Sequence, residues 1–147
     1  GLSKQADRHR PLSEAGRRDV AAMGRLLASA GVRPTRVVRS GKQRAQETAE
    51  LLAAALGSEE AATARVGLNP KDPVEPLAHD LVGWATDAML AGHLPFLAKL
   101  AGRLVTGDED LAVAAIVPAT VLCLEPASER RWAIAWMLRP ELAPGGT

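Results

Sequence analysis

Arg44 and His93 are the residues whose types and positions point most directly to chemistry. Arg44 comes after the β-branched pair Val37-Val38 and a turn at Ser40-Gly41, and it opens a helix-like segment that runs to Leu56 and stops at Gly57. The first turn of a helix gathers unpaired N–H groups and the positive end of the dipole, so an acid would suit that place better than a cation. A guanidinium there makes sense as an anion site, because its planar fork matches the oxygens of a phosphate. The competing reading is a surface arginine paired with a nearby acid. His93 lies between Gly92 and Leu94-Pro95, directly after the apolar run Asp87–Ala91. That placement sets an imidazole at the start of the following helix, where it could hold an anion; a structural histidine is the alternative.

Other chemistries find less support. His9 falls in a charged loop and His79 in an amphipathic stretch, and both read as ordinary surface residues. The three histidines show no i, i+4 pairing and no cysteine cluster accompanies them, which argues against a metal site. Ser40 lacks the G-x-S-x-G setting of a nucleophilic serine. Trp132 and Trp136 alternate with Ile134 and are expected on one side of a half-buried strand, Arg131–Leu138.

The surrounding segments supply the frame for Arg44 and His93. Gly1–Pro11 reads as a loop. Ser13 is a fair N-cap for a helix that reaches about Ala30, with Gly31 and Pro34 as stop signals. A short strand is expected around Ala64–Val66, a helix over Pro73–Gly83, and another over Phe96–Val105, closed by Gly107. Leu111–Ala115 and Ala119–Glu125 read as strands, and the tail from Glu141 to Thr147 as frayed. Strands alternating with helices predict an α/β sandwich on a mainly parallel sheet, with antiparallel additions near the C-terminus. Ligands in such sheets collect at the carboxyl ends of strands. Arg44 and His93 both occupy strand-to-helix turns, so this topology can bring them to one edge.

A chain of 147 residues with 47% hydrophobic content is expected to form one domain spanning 1–147, with a real core. No apolar run is long enough to span a bilayer and no secretory signal is visible. A lone Cys123 in an apolar run fits a reduced, cytoplasmic protein. Residues 1–44 hold 11 basic and 3 acidic side chains, whereas 45–147 hold 7 and 14. That asymmetry is either a set of solvated helix faces or a funnel for an anionic ligand. Nucleic acid is disfavoured, because the basic part has no aromatic residue for stacking and no binding motif.

Three segments, in order, resemble those of the histidine phosphatase superfamily, with its phosphoglycerate-mutase-like fold, and within it the SixA-type phosphohistidine phosphatases. Arg10-Pro11-Leu12-Ser13 with Gly16-Arg17-Arg18 is similar to the family's RPL(T/S)xxGRR segment. Ser40–Ala49, SGKQRAQETA, is similar to S-x-x-x-R-A-x-Q-T-A, with Glu47 in place of the usual glutamine. Ala91–Leu97 is similar to the VGHxPxL motif, and WMLRPELA to the group's ending. The resemblance implies a three-layer α/β/α sandwich and metal-free phosphoryl transfer without a cofactor. An attacking histidine would form a phosphohistidine that water hydrolyses, while Arg44 and His93 hold the phosphoryl oxygens. The expected partner is a phosphorylated protein or small molecule, not nucleic acid or membrane.

Gly1 aligns with the glycine of the R-H-G motif, so the nucleophilic histidine and first strand are expected upstream, and the chain as given is expected to be a truncated, inactive form. A phosphate-binding remnant and a small-molecule phosphate-ester phosphatase stand as alternatives. Asp72, in the loop LNPKDP, is a candidate general acid, with a plain turn residue as the competing reading.

Overall fold

The computed structural model describes residues 7–58 and 60–146. Helix α1 (Glu14–Ser29) leads to strand β1 (Arg36–Arg39), helix α2 (Gln43–Leu56) and the two-residue strand β2 (Thr63–Ala64). Helix α3 (Glu75–Leu81), strand β3 (Ala88–Ala91) and helix α4 (Phe96–Thr106) follow, then strands β4 (Val121–Ser128) and β5 (Arg131–Leu138). The chain closes with a 3-10 turn at Pro140–Leu142. The first three strands form a parallel sheet ordered β2-β1-β3, and β4 and β5 form an antiparallel pair. The upstream strand implied by the resemblance lies outside the described residues, as do Gly1 to Ala6 of the expected N-terminal loop.

Residues of β1 and β3 alternate between two cores, which defines three layers. Val38 and Leu90 face the side covered by α3 and α4, where Leu77, Phe96, Leu100 and Leu104 pack. Val37 and Met89 face the other side, towards Ala49 and Ala53 of α2, and Met89 also meets Met23, Leu27 and Leu56. A strand buried on both faces must be apolar at consecutive positions, which is why Val37-Val38 is an unbroken β-branched pair. Ser13 caps α1 by accepting a hydrogen bond from Gly16 N. Gly57 and Gly107 end α2 and α4 with positive φ angles of 62° and 85°, a conformation that side chains with a Cβ disfavour.

Two cross-links fix the layers. The Asp87 carboxylate accepts from Thr35 N at 3.0 Å and Thr35 Oγ1 at 2.7 Å, pinning the start of β3 beside the start of β1. Arg103 of α4 grips Glu75 of α3 with two hydrogen bonds of 2.8 and 2.9 Å.

Four expectations need correction. Leu111–Ala115 is not a strand: residues 108–111 cross Gly102 of α4 so closely that a Cβ there would stand 2.8 Å from the Asp108 carbonyl and nearer still to that of Leu111. The segment meets the helix through its backbone, with Leu111 itself half-exposed, and enters no ladder. Trp132 and Trp136 do not share one side. The β4–β5 register shifts between Cys123 and Leu124, so Ala135 is passed over, and Trp132 packs with the α3/α4 core while Trp136 packs with the α1/α2 core. The helix expected over Pro73–Gly83 is shorter, Glu75–Leu81. The tail is anchored at its start, with Pro140 and Ala143 buried.

Candidate functional site

Parallel strands β1 and β3 are in register, with Arg39 opposite Ala91, so the chain leaves both strands at the same edge of the sheet. One exit carries Ser40, Lys42 and Arg44; the other carries His93. Ser40 is 1% and His93 9% exposed, and they are buried polar residues at the end of an otherwise apolar core. Ser40 N donates to Ala91 O at 3.2 Å, continuing the ladder past the strand end. The Ser40 hydroxyl lies 2.5 Å from His93 Nε2 and accepts from Lys42 N at 3.3 Å. Leu97 N donates to the His93 carbonyl at 2.9 Å, which ties His93 to the first turn of α4.

Arg44 and Lys42 meet a third group. Arg44 Nη1 donates to the Asp7 carbonyl at 3.1 Å and to Asp7 Oδ1 at 3.2 Å, and Lys42 Nζ donates to Asp7 Oδ2. The hydrogen bond from Lys42, followed by the charges of Arg44 and Lys42, holds the Asp7 carboxyl below its usual range, against an opposing effect of burial. Burial, then the positive charges of Arg44 and Lys42, lowers the His93 pKa from 6.5 to about 4, with Asp7 opposing. His93 is thus neutral at pH 7. A contact chain runs from His93 through Ser40, Lys42 and Asp7 to Arg44.

Both residues singled out from the sequence lie in this cluster; Arg44 stands in the first turn of α2 and is paired with an acid, Asp7. Asp7, Lys42 and the role of Ser40 were not legible beforehand. Ser40 belongs to the same motif as Arg44, but its partner is 53 positions away. Asp72 is spent in a turn, accepting from Asn69 N at 2.8 Å. Glu47 joins two motif segments, because Oε1 accepts from Leu12 N at 2.9 Å and Oε2 from the Arg17 guanidinium. A cleft of about 390 Å³, lined by Arg8, His9, Gly41, Gln43, Gln46 and Glu47, opens beside the start of α2. Among the described residues no group of three or more His, Cys, Asp or Glu side chains could hold a metal ion, and no helix is long and apolar enough to cross a membrane.

A family model, the histidine phosphatase superfamily (branch 1), matches residues 3–68, the part that contains Asp7, Ser40, Lys42 and Arg44. The fold agrees over nearly the whole chain. It superposes on the protein histidine phosphatase SixA complexed with tungstate with a TM-score of 0.82 and 22% identity, covering 95% of this chain and 90% of that one. The match to the histidine phosphatase superfamily covers under half of the chain, and beyond it the likeness is one of fold. Two further structures that bear the SixA designation share this fold. The one from Agrobacterium tumefaciens has a TM-score of 0.77 at 20% identity, and the one from Nakamurella multipartitia 0.73 at 19%; each match covers 95% of this chain and 90% of the other. No curated protein matches the sequence significantly. In this fold, the carboxyl edge carrying Ser40, Arg44 and His93 is where ligands of α/β sheets collect.

Proposed function

We propose that this protein is a phosphohistidine phosphatase of the SixA type, acting without a metal ion and through a covalent phosphohistidine. The observation that carries this reading is the link from a neutral, buried His93 through Ser40 and Lys42 to Arg44. An imidazole other than that of His93 attacks phosphorus, forming one P–N bond as the substrate's P–N bond breaks, and water then hydrolyses the new phosphohistidine. Arg44 and His93 are the phosphate-binding and catalytic residues that hold the oxygens. Arg44 supplies fixed positive charge in a fork that suits two oxygens. His93, neutral at rest, gains a proton readily once a dianion offsets its positive neighbours, and then donates to an oxygen. Ser40 keeps the ring oriented.

The SixA designation of similarly folded structures supports phosphohistidine as substrate. A second reading, a phosphate-binding module without turnover, draws on a different observation. Among the described residues neither exposed His9 nor exposed His79 hydrogen-bonds into the group formed by Ser40, Lys42, Asp7 and Arg44.

The test, made on a form that carries the attacking histidine, is phosphate release from a phosphohistidine peptide, a phosphoserine peptide and p-nitrophenyl phosphate, with and without a chelator. The proposal expects release from phosphohistidine foremost, unchanged by chelator, and reduced about 100-fold or more in His93→Ala. Saturable phosphate binding without release would favour the module. Preference for p-nitrophenyl phosphate would favour a small-ester phosphatase, and loss of activity with chelator would overturn the metal-free step.

A further inference from the structure

We propose that Lys42 is a second cation for the phosphoryl oxygens beside Arg44, and that the Asp7 carboxylate holds both cations in the free protein and is displaced by substrate. The inference rests on the functional reading above and adds to it, because none of the motif segments assigns a role to Lys42 or Asp7.

The geometry is that of an anion already in place. One carboxylate oxygen of Asp7 faces Arg44 Nη1 at 3.2 Å and the other accepts from Lys42 Nζ. Two oxygens on one centre, each bound to a different cation, reproduce what a phosphoryl group would present to the same pair. Neither cation is freely solvated: the Lys42 and Arg44 side chains are 17% and 20% exposed. Two half-buried like charges side by side need an anion between them, and a carboxylate is the anion that the chain itself provides.

The match is incomplete in charge. Asp7 brings one negative charge to two positive ones, and the remaining positive field still acts on His93. A phosphoryl dianion neutralises the pair fully, so it has an electrostatic advantage over the carboxylate at the same donors. Asp7 also has another partner to turn to, since Arg10 Nη2 stands 3.6 Å from its Oδ1. Arg10 is half-exposed, at 53%, so a carboxylate released from Lys42 and Arg44 keeps an ion pair nearer to solvent.

The experiment is titration of the intact chain and its variants with inorganic phosphate by calorimetry. Lys42→Met binds phosphate about tenfold more weakly, and Lys42→Arg restores most of the loss, which shows a charge effect and not misfolding. Asp7→Asn binds phosphate several-fold more tightly, because the internal competitor is gone. Wild-type affinity in Lys42→Met together with a large loss in Arg44→Met would overturn this inference and leave the functional reading intact. Weaker binding in Asp7→Asn would overturn the role of Asp7 as competitor. Wild-type affinity in both Arg44→Met and His93→Ala would instead remove the reading on which the inference rests.

Discussion

The Ser40 hydroxyl meets His93 Nε2 at 2.5 Å, across a separation of 53 residues, and so locks the exit of β1 to the exit of β3. A buried imidazole with a single fixed orientation is a usable ligand; one free to rotate is not. Ser40→Ala leaves His93 Nε2 without this partner, which costs about 1–3 kcal/mol of stability for an unsatisfied buried polar group. Thermal unfolding should register that loss. Phosphate affinity should fall in the same variant, because the ring no longer points reliably at the ligand. A Ser40→Ala protein with unchanged stability and unchanged phosphate binding would show that the contact has no positioning role.

The ionisation of His93 gives a second prediction. Its folded pKa of about 4 lies below the ordinary 6.5 of histidine, so the unfolded chain binds the proton more readily. The contribution of His93 to stability is therefore complete above pH 6.5 and is lost as the pH falls towards 4. Proton NMR of the His93 ring should show a midpoint well below 6.5. Saturating sulfate, which remains a dianion through this range, should move the midpoint upward. A His93 midpoint at 6.5 that ignores sulfate would contradict the proposed electrostatics.

Glu47 supplies the third. Its two oxygens accept from two different donors, Leu12 N and Arg17, and a glutamine can offer only one acceptor oxygen. Glu47→Gln should lose about 1 kcal/mol, the usual net worth of one such hydrogen bond. The loss should be absent when Arg17 is already replaced by Met. A full and undiminished loss in the Arg17→Met background would place the effect elsewhere.

Gly102 offers a test of the fold. The carbonyls of Asp108 and Leu111 occupy the space that a Cβ would take. Gly102→Ala should destabilise the protein by about 1–3 kcal/mol through overpacking, despite alanine's better helix propensity. A stabilised Gly102→Ala would mean that the 108–111 segment does not lie on α4.

The elements that position the site were legible where local chemistry agrees with the fold. Ser13, Gly57 and Gly107 mark helix ends through their own hydrogen-bonding or conformational needs, and those needs are met as read. Val37-Val38 carries its double burial in its composition. Leu111–Ala115 failed because an apolar run need not be buried: Leu111 is half-exposed, and the segment lies against Gly102 through backbone carbonyls. The tryptophans of β5 failed because a shift of one residue in the ladder reverses the facing of every later side chain, and nothing local in that strand marks it. In the site, Arg44 and His93 could be picked out by position, because each sits at a strand-to-helix exit. Asp7 could not: its partners Lys42 and Arg44 are 35 and 37 residues away, and its neighbours Arg8, His9 and Arg10 make it look like one more charge in a polar loop.

The central claim is that Arg44 and His93 hold the same phosphoryl group, and a double-mutant cycle on phosphate binding tests it most directly. Calorimetric titration of wild type, Arg44→Met, His93→Ala and the double variant with inorganic phosphate gives the four affinities. Each single change should weaken binding by at least about tenfold, the effect of one charge-assisted hydrogen bond, and the double variant should lose less than the product of the two. Phosphate affinities equal to wild type in both single variants would contradict the account.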